Sequence, residues 1–197
     1  MKIIVIISIL TLCFTCKAQS PIFPLDDWYN EQPNAYYKDI QNELDTFTGT
    51  WLYTNGSTSW RIVLNIEEMF FNETYYEDLI TGEYQYIEDG IEIINTLEGL
   101  NTLQGDYHEI YGNGIFKGCD YLPPSDCIDD EIRLRVTMID PLTGHVASVF
   151  LHKRVVNGQE AILAYVIFNQ LVSYNGFSKP KPEPNMPWQQ EYVLIKQ

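Results

Sequence analysis

The side chains with chemistry to offer are few. Histidine occurs only at positions 108, 145 and 152, each inside a strand-like segment. A catalytic histidine needs a nucleophile or a metal partner at a workable spacing. Neither a His-Glu-x-x-His pattern nor a Gly-x-Ser-x-Gly elbow occurs. His152 shares an alternation face with Phe150 and Ser148 and reads as a structural histidine. Carboxylates are plentiful, with the densest groups at Glu67-Glu68, Glu77-Asp78 and Asp129-Asp130-Glu131. A glycosidase would need two of them at a set separation across a cleft, which no linear spacing supplies. Asp126, Asp129, Asp130 and Glu131 offer the oxygen ligands that calcium prefers, yet the loop pattern of a calcium site is absent. A solvated acidic face is the better reading. Gly112-Asn113-Gly114 reads as a turn rather than a phosphate cradle. No catalytic, cofactor or metal residue is assigned, and the expectation is a protein that is not an enzyme.

Cysteine and tyrosine carry more information. Cys13 and Cys16 lie in the leader described below, which leaves Cys119 and Cys127 as a pair enclosing Pro123-Pro124. In an oxidising compartment that spacing predicts a disulfide closing a small loop. Tyrosines gather in the middle of the chain, at positions 75, 76, 84, 86, 107 and 111. Tyrosine joins apolar area to a polar tip, which suits lipids, glycans and protein partners alike. Tyr76, Tyr84, Tyr86 and Tyr107 are therefore the candidate ligand-lining residues. Strand propensity and core packing account for the same residues without a ligand.

These side chains need elements to hold them. The 197 residues suit one domain preceded by a removable leader. Residues 1–18 read as a secretory signal peptide: Lys2 supplies the positive end, Ile3 to Phe14 the apolar run, and Cys16 and Ala18 the small residues before Gln19. The residues preceding Cys13 and Cys16 do not match a lipoprotein site. No second apolar run reaches the ~18 residues that a spanning helix needs. The expected location is the periplasm or the cell exterior. A formal net charge of −15 repels phosphate backbones and excludes a nucleic-acid role.

Residues 19–45 show no steady period and read as a tether, with a helical turn over Tyr36–Leu44. From Phe47 the period is two. Phe47, Gly49, Trp51 and Tyr53 share one face of the first strand, and Trp60, Ile62, Leu64 and Ile66 one face of the second. Asn55-Gly56, Asp89-Gly90 and Asn157-Gly158 are tight-turn dipeptides. Tyr75 to Glu88 reads as one long strand bent at Gly82. Further strands are predicted at Ile91–Thr96, Tyr107–Tyr111, Ile132–Met138, His145–Val155, Glu160–Phe168 and Gln190–Lys196. Residues 97–105 are a connection, the stretch from Gly112 to Cys127 an exposed excursion, and the proline-rich residues 175–188 extended and irregular. About nine strands in series, without alternating helices, predict an all-β, antiparallel up-and-down barrel over residues 46–197.

Several stretches resemble a family of uncharacterised secreted flavobacterial proteins known as DUF6705. The resemblance rests on Gly49-Thr50-Trp51, Tyr53-Thr54-Asn55-Gly56, Tyr75-Tyr76-Glu77-Asp78, Gly82-Glu83-Tyr84-Gln85-Tyr86, Val156-Asn157-Gly158-Gln159-Glu160-Ala161, and Glu191 to Gln197. It implies a secreted bacterial protein and supplies no site residues. The first strand is also similar to the Gly-x-Trp strand of lipocalin- and calycin-like barrels. That likeness implies a structural plug made of Gly49 and Trp51, with the tryptophan beneath a basic residue from a late strand, Arg154 or Lys196. It also implies a small apolar ligand. The alternative is an interaction module with a filled core and an envelope or extracellular protein or glycan as partner. The chain is expected to act as a monomer, without a cofactor.

Overall fold

Strands that bury one face must be handed back to their neighbours by turns of matching twist. In the computed structural model, which describes residues 20–27, 31–119, 126–168, 183–188 and 190–197, that requirement yields eleven strands. They are β1 (Ile22–Pro24), β2 (Tyr36–Lys38), β3 (Gly49–Asn55), β4 (Thr58–Phe71), β5 (Tyr76–Glu88), β6 (Ile91–Asn95), β7 (Ile110–Lys117), β8 (Ile132–Ile139), β9 (Val146–Val156), β10 (Gln159–Phe168) and β11 (Glu191–Lys196). Eight of them close a ring in the order β3–β4–β5–β7–β8–β9–β10–β11, with β11 returning to β3 and every neighbouring pair antiparallel. The protein is a closed up-and-down barrel of the lipocalin-like kind.

The turns explain the register. Asp89-Gly90 joins β5 to β6 with φ of 51° and 81°, and Asn157-Gly158 joins β9 to β10 with φ of 52° and 79°. Both are two-residue turns with two left-handed residues, the geometry that matches strand twist. At Gly82 a Cβ would lie 2.4 Å from the Val63 carbonyl oxygen, so only glycine permits the close approach of β4 and β5.

Strand β5 is the organising element. One edge pairs with β4 along most of its length. The other edge is shared in turn by β2 at Tyr76–Glu77, β7 at Ile80–Gly82 and β6 at Gln85–Glu88. The seam between β5 and β7 is thus three residue pairs long, and the seam between β3 and β11 pairs only Leu52 with Ile195 and Trp51 with Lys196.

The predicted strands correspond to β3–β11, with three corrections. The helical turn expected over Tyr36–Leu44 is replaced by strand β2, which runs parallel to β5, and by a 3-10 turn at Leu44–Phe47. The strand expected at Tyr107–Tyr111 begins three residues later, because Gly105–Tyr107 forms a 3-10 turn. The Gly112-Asn113-Gly114 stretch is not an excursion. It lies within β7, where a bulge between Tyr111 and Gly114 absorbs the extra residue against β8. The leader predicted over residues 1–18 lies outside the described residues.

The core fills the ring. Trp51, Trp60, Leu64, Tyr84, Leu134, Met138, Ile162 and Leu194 are buried in one cluster. Large side chains come mainly from β3–β5, while β9 and β10 contribute Ala147, Val149, Ala164 and Val166. Two small crevices, of about 90 and 170 Å³, lie against the N-terminal arm instead; the larger is lined by Leu25, Glu31, Tyr37, Tyr75, Glu77 and Asn113. Each is smaller than the roughly 300 Å³ at which small-molecule sites begin.

Candidate functional site

The two ends of the barrel are closed in different ways. At one end the 3-10 turn Leu44–Phe47 leads straight into β3, whose third residue is Trp51. The Trp51 indole N–H donates to the Phe47 carbonyl at 2.9 Å, and the side chain is fully buried. Lys153 Nζ stands 4.7 Å and Lys196 Nζ 5.3 Å from the centre of its ring. Two ammonium groups at that range of one indole ring form a double cation–π contact. Glu160 holds Lys196 at 2.7 Å. Gly49 takes φ of 116° beside the Lys196 stem, so Gly49 and Trp51 shape this end together. Of the two basic residues the sequence offered, Lys196 reaches the tryptophan. Arg154 instead binds Asp126 and Glu131. Lys153 was not foreseen; its place follows from the pairing of β9 and β10.

The opposite end holds the aromatic side chains. Tyr84 and Tyr86 project from β5 into the core, and Trp60 stands opposite Tyr86 on β4. Tyr192 meets Trp60 edge-on at 5.2 Å and Tyr53 at 5.1 Å. Tyr84 donates its hydroxyl hydrogen to the Ile139 carbonyl at 2.9 Å. The Met186 sulfur lies 3.8 Å from the same hydroxyl. Met186 belongs to no strand. It comes from residues 183–188, a strap carrying Pro184 and Pro187, and it is 2 % exposed within the barrel cluster.

The strap is pinned by the β8–β9 turn. Asp140 accepts the backbone N–H of Asn185 at 2.7 Å, and those of Leu142 and Thr143 at 2.9 and 3.2 Å. Burial raises the Asp140 pKa, but these hydrogen bonds outweigh it and hold the carboxyl below its ordinary range. Burial pushes the Tyr84 hydroxyl far up, and the negative charges of Asp140, Glu109 and Glu83 push it further. Tyr86 is raised in the same way, by burial and then by Glu88. One polar group here has no partner: the Trp60 indole N–H is buried and meets no acceptor.

The other predicted lining residues lie apart. Tyr76 sits at the far end of β5 and packs its ring 4.9 Å from Phe71. Tyr107 stands on the 3-10 turn before β7 and is 77 % exposed. Met186 escaped sequence reasoning altogether, since a lone methionine among prolines carries no period. Trp60 fell on the predicted inward face, but alternation does not reveal whether an N–H finds an acceptor.

Two further polar groups lie on the outer wall. Cys119 and Cys127 form the predicted disulfide. Arg154 ties its loop to β9 through Asp126 and Glu131, two members of the acidic group beside it. Two residues before Arg154 on β9, His152 is fully buried with no hydrogen-bond partner on either ring nitrogen, and burial, with Arg154 and Arg133 nearby, lowers its pKa to about 4. On the outside of β5, buried Glu83 meets His108 Nδ1 at 2.9 Å and fixes the segment leading into β7. Among the described residues no three metal-ligating side chains gather in one place. No helix among them is long and apolar enough to cross a membrane.

A family model described as a family of unknown function, DUF6705, matches residues 1–197. The chain belongs to that family. Neither a curated protein nor a solved structure matches it. Membership therefore assigns no activity, and a functional reading has to come from the barrel itself.

Proposed function

We propose that the protein is exported and binds a small, largely apolar molecule at the strap end of its barrel. The observation that carries this reading is the way that end is closed. A flexible thioether enters the aromatic cluster from a proline-flanked strap rather than from the sheet. Methionine adapts to irregular apolar space, so Met186 suits a place that a ligand of similar width would also fill. Export is supported by the disulfide and by the apolar leader. The test is native mass spectrometry of protein purified from its own host. A retained molecule that leaves on unfolding supports the reading. A bare polypeptide mass, together with no uptake of an apolar dye even when Met186 is changed to alanine, sinks it.

A second reading has an observation of its own. The ring is filled by its own side chains, which favours an interaction module that works through its acidic surface on an envelope or extracellular protein or glycan. Dye uptake in the unaltered protein separates the two, since a barrel that keeps its core filled takes up none.

A further inference from the structure

The strap end contains an unmet donor. Indole nitrogen can only donate, and a buried donor without an acceptor keeps its desolvation penalty uncompensated. Native structures tolerate few such groups, and each one calls for an explanation. The Trp60 N–H is such a group, on a side chain that is fully buried in the barrel cluster. No acceptor atom is paired with it: the Tyr192 ring packs against it at 5.2 Å and 75°, and the Tyr86 hydroxyl is turned to Glu88 at 3.2 Å. The Met186 sulfur, a weak acceptor, already approaches the Tyr84 hydroxyl. A soft acceptor on an apolar stem thus occupies this end from within the chain.

The charges around the site narrow the choice. Asp140, Glu109, Glu83 and Glu88 all act on Tyr84 or Tyr86. Arg133 is the buried lysine or arginine among the described residues, and it lies over the Phe116 ring, away from the strap. Among the described residues, an anion brought here would meet like charges and no buried cation. A cation would bring no acceptor for the indole.

We propose that the ligand of the strap end is neutral and carries one acceptor oxygen, of the ketone, ester or ether type, on a compact apolar body, and that this oxygen takes the Trp60 N–H. The proposal rests on the apolar-ligand reading above and adds the chemical class.

The experiment titrates isotope-labelled full-length protein with cyclohexanone, cyclohexane and cyclohexanecarboxylate while following the Trp60 indole N–H resonance. Cyclohexanone is expected to move that resonance downfield, whereas cyclohexane leaves it near its starting position. Trp60→Phe should weaken cyclohexanone about fivefold and leave cyclohexane within about twofold, the scale of one neutral hydrogen bond. If Trp60→Phe fails to fold, the indole shift in the unaltered protein decides alone. Equal binding of cyclohexanone and cyclohexane, with no indole shift, overturns the acceptor inference and leaves the apolar site standing. Tightest binding of the carboxylate overturns neutrality. Binding of none of the three overturns the apolar-ligand reading as well.

Discussion

The plugged end and the strap end bury similar aromatic side chains under different constraints. At the plugged end, the turn that closes the barrel is contiguous with the strand that supplies the tryptophan. Trp51 donates to a carbonyl four residues back, and two lysine ammonium groups approach its ring. At the strap end, closure comes from residues about a hundred positions away from Tyr84, held to Asp140 through the backbone and side-chain N–H groups of Asn185, and the Trp60 N–H meets no acceptor. Local closure lets the Trp51 N–H find its acceptor within the same short stretch of chain. Remote closure leaves an apolar plug that can leave without undoing a strand.

That contrast can be broken or sharpened by experiment. Replacing Trp51 with alanine should have the largest effect, a loss of about 3–5 kcal/mol in urea unfolding, because a cavity opens under two lysines that lose their ring. A loss under about 1 kcal/mol would mean that the plugged end is no firmer than the other. The next effect is pH-dependent and arises on the wall beside Lys153. His152 is held neutral by burial with a pKa near 4, facing Arg133 and Arg154 as well as Asp126. Its folded pKa lies below its unfolded value, so the unfolded chain binds more protons between the two. Its contribution, on the order of 3 kcal/mol, is present in full above pH ~6.5 and is lost as pH falls towards 4. Unfolding free energies across that window, for the protein and for His152→Gln, should differ in slope; parallel curves would contradict it.

At the strap end the expected effects are smaller. Met186→Ala should cost about 2 kcal/mol, the low end for a buried methionine, since a strap can settle where a strand cannot. Asn185→Pro removes the N–H that Asp140 accepts and should cost about 1 kcal/mol, while speeding hydrogen exchange at the Trp60 indole several-fold. Unchanged indole exchange would show that the strap does not govern access to that end.

Much of the barrel was legible because its signals are local. Trp60, Ile62 and Leu64 alternate as buried strand residues do, and Asp89-Gly90 and Asn157-Gly158 can only be turns of one kind. The parts that escaped depend on distant pairing. β1 and β2 are three residues each, too short to show a period, and they exist because β5 extends past its seam with β7. The candidate site was half legible for the same reason. Tyr84 and Tyr86 follow from β5, whereas Tyr107 was assigned to a strand that starts only after it, and Met186 reaches the barrel from outside any strand.

The short seams have a mechanical consequence. Between them the ring divides into two panels, a three-strand shell of β3–β5 bearing most of the bulky aromatics and a five-strand shell of β7–β11 bearing mostly aliphatic residues. Each shell is laced internally by long ladders, eleven residue pairs between β4 and β5 and ten between β9 and β10, but the shells are buttoned to each other by only three pairs on one side and two on the other. Such a body yields like a bivalve: load on it parts the valves along the short seams before it unravels either one, and the space that opens first lies between the aromatic-rich valve and the mostly aliphatic one.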